Sequence, residues 1–87
     1  GMTSARKLRE IVANTRAILA VEILCATQAI DLRAPSTPGH ATGAAHAAVR
    51  RVVPHLDADR LLANDIEAIL TLEKSGAILA AVDAALA

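Results

Sequence analysis

Along the first third of the chain, apolar residues recur at Leu8, Ile11, Val12, Ile18, Leu19, Cys25, Ala26, Ala29 and Ile30, with Thr15 between Val12 and Ile18. Steps of three and four residues place side chains along one side of a helix. No Gly or Pro interrupts Ser4 to Asp31, so the pattern predicts one long helix there. Arg6, Lys7 and Arg9 crowd its first turns, where the helix dipole disfavours positive charge. No Ser/Thr-x-x-Glu box opens it. A start of this kind reads as a helix cut from a longer parent. Gly1 before Met2 reads as a tag residue, with Met2 as the native start of a standalone reading frame.

Arg33 to Gly39 breaks the pattern, because Ala-Pro-Ser-Thr-Pro-Gly is loop chemistry. A second helix is predicted from Gly43 to Val52, capped by Thr42 and stopped by Pro54. Its apolar face carries Ala45, Ala48, Val49 and Val52, and Arg50 and Arg51 lie in its last turn. His55 to Arg60 is expected to form a short connection, one helical turn capped by Asp57. A third helix is predicted over Asn64 to Lys74, with Asp65 and Glu67 near its start and Lys74 at its end, in accord with the dipole. Ser75-Gly76 closes it and caps a last helix, Ala77 to Ala85. No segment alternates as a strand does. The reading is a single all-α domain over residues 1–87: one long N-terminal helix packed with two or three shorter ones.

Composition changes this picture in one respect. Apolar residues make up 54% of the 87 residues, yet there is no Phe, Tyr or Trp. Aromatic side chains bury the largest areas. A core of small aliphatics in so short a chain is thin, so part of the apolar surface is expected to be covered by self-association, as a homodimer or higher oligomer. Nine basic residues balance nine acidic ones. That argues against nucleic-acid partners, which require a basic face, and against a polybasic membrane patch. No apolar run reaches the roughly 18 residues of a membrane helix. The single Cys25 has no partner for an internal disulfide, which suits a reducing, cytoplasmic setting.

Candidate chemistry is sparse. His40, His46 and His55 are spaced by six and nine, unlike the short local pairs of zinc sites, and are expected to face solvent. Cys25 sits beside Leu24 and Ala26 and reads as a buried, inert thiol. Asp57-x-Asp59 lacks the Gly and closing Glu of a calcium loop. Glu22, close to the apolar stripe, reads as a helix-surface or interface charge, with a group behind an active site as the alternative. Asp31 and Arg33 close the first helix and are expected to brace the loop that follows; an anion bound by Arg33 is the alternative.

Two stretches resemble a known family. One is Asn14-Thr15-Arg16-Ala17-Ile18-Leu19-Ala20-Val21-Glu22 with Gln28-Ala29-Ile30-Asp31-Leu32-Arg33; the other is His55-Leu56, Asp59-Arg60, Ala63-Asn64-Asp65-Ile66-Glu67 and Ser75-Gly76. Their order resembles the C-terminal part of histidine ammonia-lyases, within the aromatic amino-acid lyases. The likeness runs from about Ala5 to Leu79. It singles out Glu22, Gln28, Asp31, Arg33, Asp59, Arg60 and Asp65 as a structural element. Asn64 departs from it, since the family often has proline there, at the first helical position.

The resemblance implies a mostly helical, cytoplasmic and usually tetrameric enzyme that eliminates ammonia from histidine to give urocanate. Its electrophile is a methylidene-imidazolone formed from Ala-Ser-Gly. That tripeptide is absent here, Ser75-Gly76 follows Lys74, and a tyrosine base is impossible in a chain without Tyr. No catalytic, cofactor or metal residue is carried over. Three expectations follow: a non-catalytic structural or oligomerisation module, a subunit of a split lyase completed by a lyase N-terminal chain, or an unrelated helical adaptor.

Overall fold

The structure is a computed structural model that describes residues 1–58 and 60–87. It contains four helices among those residues: α1 (Met2–Leu32), α2 (His40–Arg50), α3 (Leu62–Ser75) and α4 (Ala77–Leu86). The described residues form no strand. α1 packs chiefly on α3, and α2 chiefly on α4.

α1 runs unbroken for 31 residues and has no side-chain N-cap bond and no acidic residue in its first turn. It ends where Arg33 and Ala34 donate their backbone N–H groups to Ile30 and Asp31 carbonyls, both at 3.2 Å. α2 starts earlier than the sequence predicts. Gly39 takes an extended conformation as N-cap, and its carbonyl accepts from the Gly43 N–H at 2.7 Å. Thr42 therefore falls inside the first turn, exposed, and does not cap.

α2 also stops two residues short of Val52. Val52 and Val53 both donate to the Val49 carbonyl, and the Arg50 guanidinium takes the Val53 and Pro54 carbonyls. These bonds curl the chain out of the helix. The predicted helical turn at His55–Arg60 is absent among the described residues. Instead, side chains of α1 hold His55 and Leu56. α3 begins at Leu62, so Asn64 is its third residue and not its first.

The α3–α4 junction matches its sequence. Gly76 sits at φ 75°, the left-handed conformation in which glycine has no Cβ penalty. Ser75 Oγ donates to the Leu72 carbonyl and accepts from the Ala77 N–H, at 2.7 and 3.2 Å.

The core is small. Ala20 of α1, Val49 of α2, Val53 after it and Ile69 of α3 form one buried cluster, flanked by Ile23, Leu24, Ile66, Leu72 and Ile78. Ala20 is fully buried, which lets the neighbouring helices come close at this point. A side chain such as Ile69 contributes roughly 1.5–3 kcal/mol by its burial. The radius of gyration is 14.8 Å, against about 12 Å for a compact chain of this length. The chain forms an open slab, 52 × 37 × 17 Å, with a sparse interior, as its aliphatic composition implies.

Candidate functional site

The polar residues converge at the C-terminal end of α1. Gln28 and Asp31 are three residues apart on one helix, so they lie on adjacent turns of one face. Asp31 Oδ1 accepts from His46 Nε2 of α2 at 2.7 Å. Its Oδ2 accepts from Arg50 Nε at 2.9 Å, from Arg50 Nη2, and from His55 Nδ1 at 2.9 Å. His46 and Arg50 are four apart on α2, which aims both at the same carboxylate. An ionised carboxylate only accepts, so both ring nitrogens that touch it carry hydrogen.

Arg50 spends every donor it has. Nε and Nη2 bind Asp31, Nη2 also binds Gln28 Oε1 at 3.1 Å, and Nη1 binds the Val53 and Pro54 carbonyls at 3.2 and 3.1 Å. Five N–H groups thus find acceptors, the full capacity of a guanidinium. Gln28 in turn pairs with both backbone groups of Leu56: Nε2 donates to its carbonyl at 3.2 Å and Oε1 accepts from its N–H at 3.3 Å. Arg60 closes the other side of the loop, donating to Asp65 Oδ2 at 2.9 Å and to the His55 and Pro54 carbonyls. Asp65 is buried and satisfied by that pair.

These neighbours hold the Asp31 carboxyl well below the usual carboxylate range. The hydrogen bond from His55 is the largest cause. Loss of hydration pushes the other way, and the bonds from Arg50 and His46 together with the Arg50 charge add to the lowering.

The sequence-marked residues divide accordingly. Gln28, Asp31, Arg60 and Asp65 belong to one network. Glu22 is exposed and bonds to nothing among the described residues, in keeping with a surface charge. Arg33 is exposed beside the loop that follows α1, and the Asp31 carboxylate bonds to His46 and Arg50 of α2 and to His55, not to that loop as the sequence suggested. Asp59 lies outside the described residues. Arg50 and two of the three histidines complete the network, and sequence reasoning had left them aside. His46 is half-buried and bonded to Asp31, not free in solvent, and His55 is bonded too; His40 is exposed as expected. The available signal was the i, i+4 pair His46 and Arg50 facing the end of α1. Cys25 also differs from expectation. It is exposed, on an open apolar groove of about 280 Å³ that Leu24, Leu32, Leu56 and Leu62 also line. Among the described residues no group of three or more His, Cys, Asp or Glu is arranged to hold a metal, and no helix is long and apolar enough to cross a membrane.

The family model for aromatic amino acid lyases matches residues 1–51, which include α1, α2 and four of the network's side chains, Gln28, Asp31, His46 and Arg50. The chain belongs to the aromatic amino acid lyase family. It is similar to the histidine ammonia-lyase of Symbiobacterium thermophilum, 49% identical over 84 residues, covering 97% of this chain and 17% of that protein. The histidine ammonia-lyase of Sorangium cellulosum is 49% identical over 85 residues, 98% of this chain and 16% of that protein. That of Myxococcus xanthus is 51% identical over 87 residues, all of this chain and 17% of that protein. The chain therefore spans about a sixth of the length of these lyases. No solved structure matches it.

Ala-Ser-Gly is missing, and the one Ser-Gly pair has its hydroxyl tied into the α3–α4 junction at Leu72 and Ala77.

Proposed function

We propose that this chain is a non-catalytic helical module of the histidine ammonia-lyase type, with a structural or oligomerisation role. The observation that carries the reading is the saturated network at Asp31 and Arg50. A guanidinium with five acceptors and a carboxylate with four donors have no capacity left for a substrate. Their geometry suits a clasp that ties α1, α2 and the loop before α3 together. The module takes no cofactor or metal of its own, binds neither nucleic acid nor membrane, and works in the reducing cytoplasm, where its one exposed thiol stays unpaired. The test is to incubate the purified chain with L-histidine and follow urocanate by its ultraviolet absorbance. No formation is expected; steady formation above a blank overturns the reading.

A second reading has its own support. Alignment over nearly the whole chain at about half identity to one segment of histidine ammonia-lyases is what a subunit of a split lyase would show. Mixing the chain with a lyase polypeptide that contains the Ala-Ser-Gly segment but ends before this region tests it. A gain in urocanate formation supports the split enzyme, and an unchanged rate sinks it.

A further inference from the structure

Glu73 and Lys74 are neighbours on α3, yet their side chains line different grooves. Lys74 lines the one that Leu8, Val12 and Leu70 also border. Glu73 lines another, an open groove of about 340 Å³ with Ile23 of α1, Gly76, and Ile78, Leu79 and Val82 of α4. Gly76 turns the chain from α3 into α4 at φ 75°. A Cβ at Gly76 would meet nothing within 4 Å, so the groove stays open at the turn. One oxygen of the carboxylate, Glu73 Oε2, is buried and has no hydrogen-bond partner among the described residues. Their ion pairs do not include Glu73 either. Buried polar atoms are nearly always bonded, because one without a partner loses its hydration and gains nothing in exchange. The aliphatic side chains beside Glu73 have no donor to give it.

We propose that this groove is a binding site for a small aliphatic primary amine. Its ammonium donates to Glu73 Oε2, and its alkyl body lies along Ile23, Ile78, Leu79 and Val82. Each property of the ligand answers a property of the groove. The unmet group is a carboxylate oxygen, so the polar end of the ligand is a cationic N–H donor, and charge-assisted bonds of this kind are the strong ones. Only one oxygen is buried without a partner, which suits the point donor of an ammonium. A guanidinium presents a planar fork that engages both oxygens. Among the described residues no second acidic side chain lines the groove, so the far end of a diamine has nothing to pair with. The other side chains are aliphatic, which makes the body of the ligand an alkyl chain. Leu79 is 66% exposed, and covering it removes apolar area from water. The volume lies at the small end of ligand pockets, which run from about 300 to 1,000 Å³. The site shares no residue with the clasp at Asp31, so it stands apart from the reading of the chain as a structural module.

The test is titration of the whole 87-residue chain with n-hexylammonium chloride at neutral pH and fixed ionic strength, followed by NMR of the isotopically labelled protein. Saturable shifts are expected at Ile23, Gly76, Ile78 and Val82, with a dissociation constant on the order of 1 mM, as befits so small a ligand. Hexanol has the same body without the charge and is expected to bind about tenfold more weakly or worse. Hexanoate, with the opposite charge, is expected not to bind, and the matching terminal diamine to bind no tighter than hexylammonium. Glu73→Gln keeps the shape and removes the charge. It should weaken hexylammonium about tenfold or more and leave hexanol unchanged. Leu79→Ser, at an exposed position, should weaken both ligands by roughly threefold. If Glu73→Gln does not fold, the ligand series on the parent chain decides the same question. Equal affinity for hexylammonium and hexanol, shifts that never saturate, or shifts centred outside the groove overturn the proposal. So does hexylammonium binding that survives Glu73→Gln.

Discussion

The two halves of α1 are made of the same aliphatic residues and belong to one unbroken helix, yet different forces hold them. From Ala20 onward the helix is bound to the rest of the chain twice over, by burial against Val49, Val53 and Ile69 and by the hydrogen bonds of Gln28 and Asp31. Before Ala20 none of its residues is buried. Leu8, Arg9, Val12 and Arg16 line an open groove with Leu70 and Lys74 of α3, and Ile11 and Ile18 are mostly exposed. A helix of this length holds its backbone bonds in the first half, but most helical stability in water comes from packing. The packed half of α1 is the half that carries the clasp, and the N-terminal half extends from it.

The largest way to break that contrast is Asp31→Ala. It removes the acceptor of three side chains and leaves Arg50 half-buried without its counter-charge. Breaking such a pair costs about 3 kcal/mol, the low end for buried ion pairs because the carboxylate keeps some solvent contact. Urea unfolding followed by circular dichroism should show the midpoint fall, while Arg33→Ala, one turn-end away, should leave it within about 0.5 kcal/mol. Acid sharpens the same point. The folded Asp31 carboxyl is more acidic than in the unfolded chain, so the unfolded chain takes up the proton first as pH falls. The contribution of Asp31 is complete above about pH 4, the ordinary aspartate range, and is lost below it as the folded carboxyl is protonated. The melting temperature of the parent chain should therefore drop more steeply below pH 4 than that of Asp31→Asn.

The clasp was only half legible in the sequence, for a physical reason. Periodicity reports which residues share a helix face, so it placed α1, α3 and α4 and put Gln28 and Asp31 at the end of the first helix. It does not report which helix faces which. His46 and Arg50 read as a helix-surface histidine and a dipole-favoured arginine until α2 is laid against α1. The loop ends failed for a related reason. Thr42 is a better cap than Gly39 by local chemistry, but Gly39 is where the extended chain after Pro38 can turn into the helix. Asp57 did not start a helical turn because Gln28 and Asp31 claim the adjoining backbone and imidazole. The Ser75-Gly76 junction was fully legible, because a left-handed glycine and a hydroxyl cap are decided within a few residues.

A second, smaller effect tests where along α1 the binding begins. Ala20 is fully buried, and Ala17, less than one turn earlier, is exposed. Ala20→Leu inserts three carbons where neighbouring helices are already in contact, and overpacking of that kind costs about 2 kcal/mol. Ala17→Leu should change stability by less than about 0.5 kcal/mol, as exposed helix positions do. Thermal unfolding of the two variants side by side reads the boundary directly. Equal effects would mean that the packed region extends further toward Met2 than Ala20.

The smallest expected effect lies in the exposed half itself. Ile11 is 60% exposed, and its replacement by Ser removes no contact with the core. In dilute solution, where single copies dominate, Ile11→Ser should alter the urea midpoint by no more than about 0.5 kcal/mol, mostly through helix propensity. At high concentration the same substitution faces a different reference state. Whatever stability the parent gains from association rises with concentration by mass action, and the variant gains less of it. The difference between the two midpoints should therefore open as concentration increases. A gap that stays constant would mean that Ile11 acts within a single copy, and the N-terminal half of α1 would then owe its helical state to the chain itself and not to a partner.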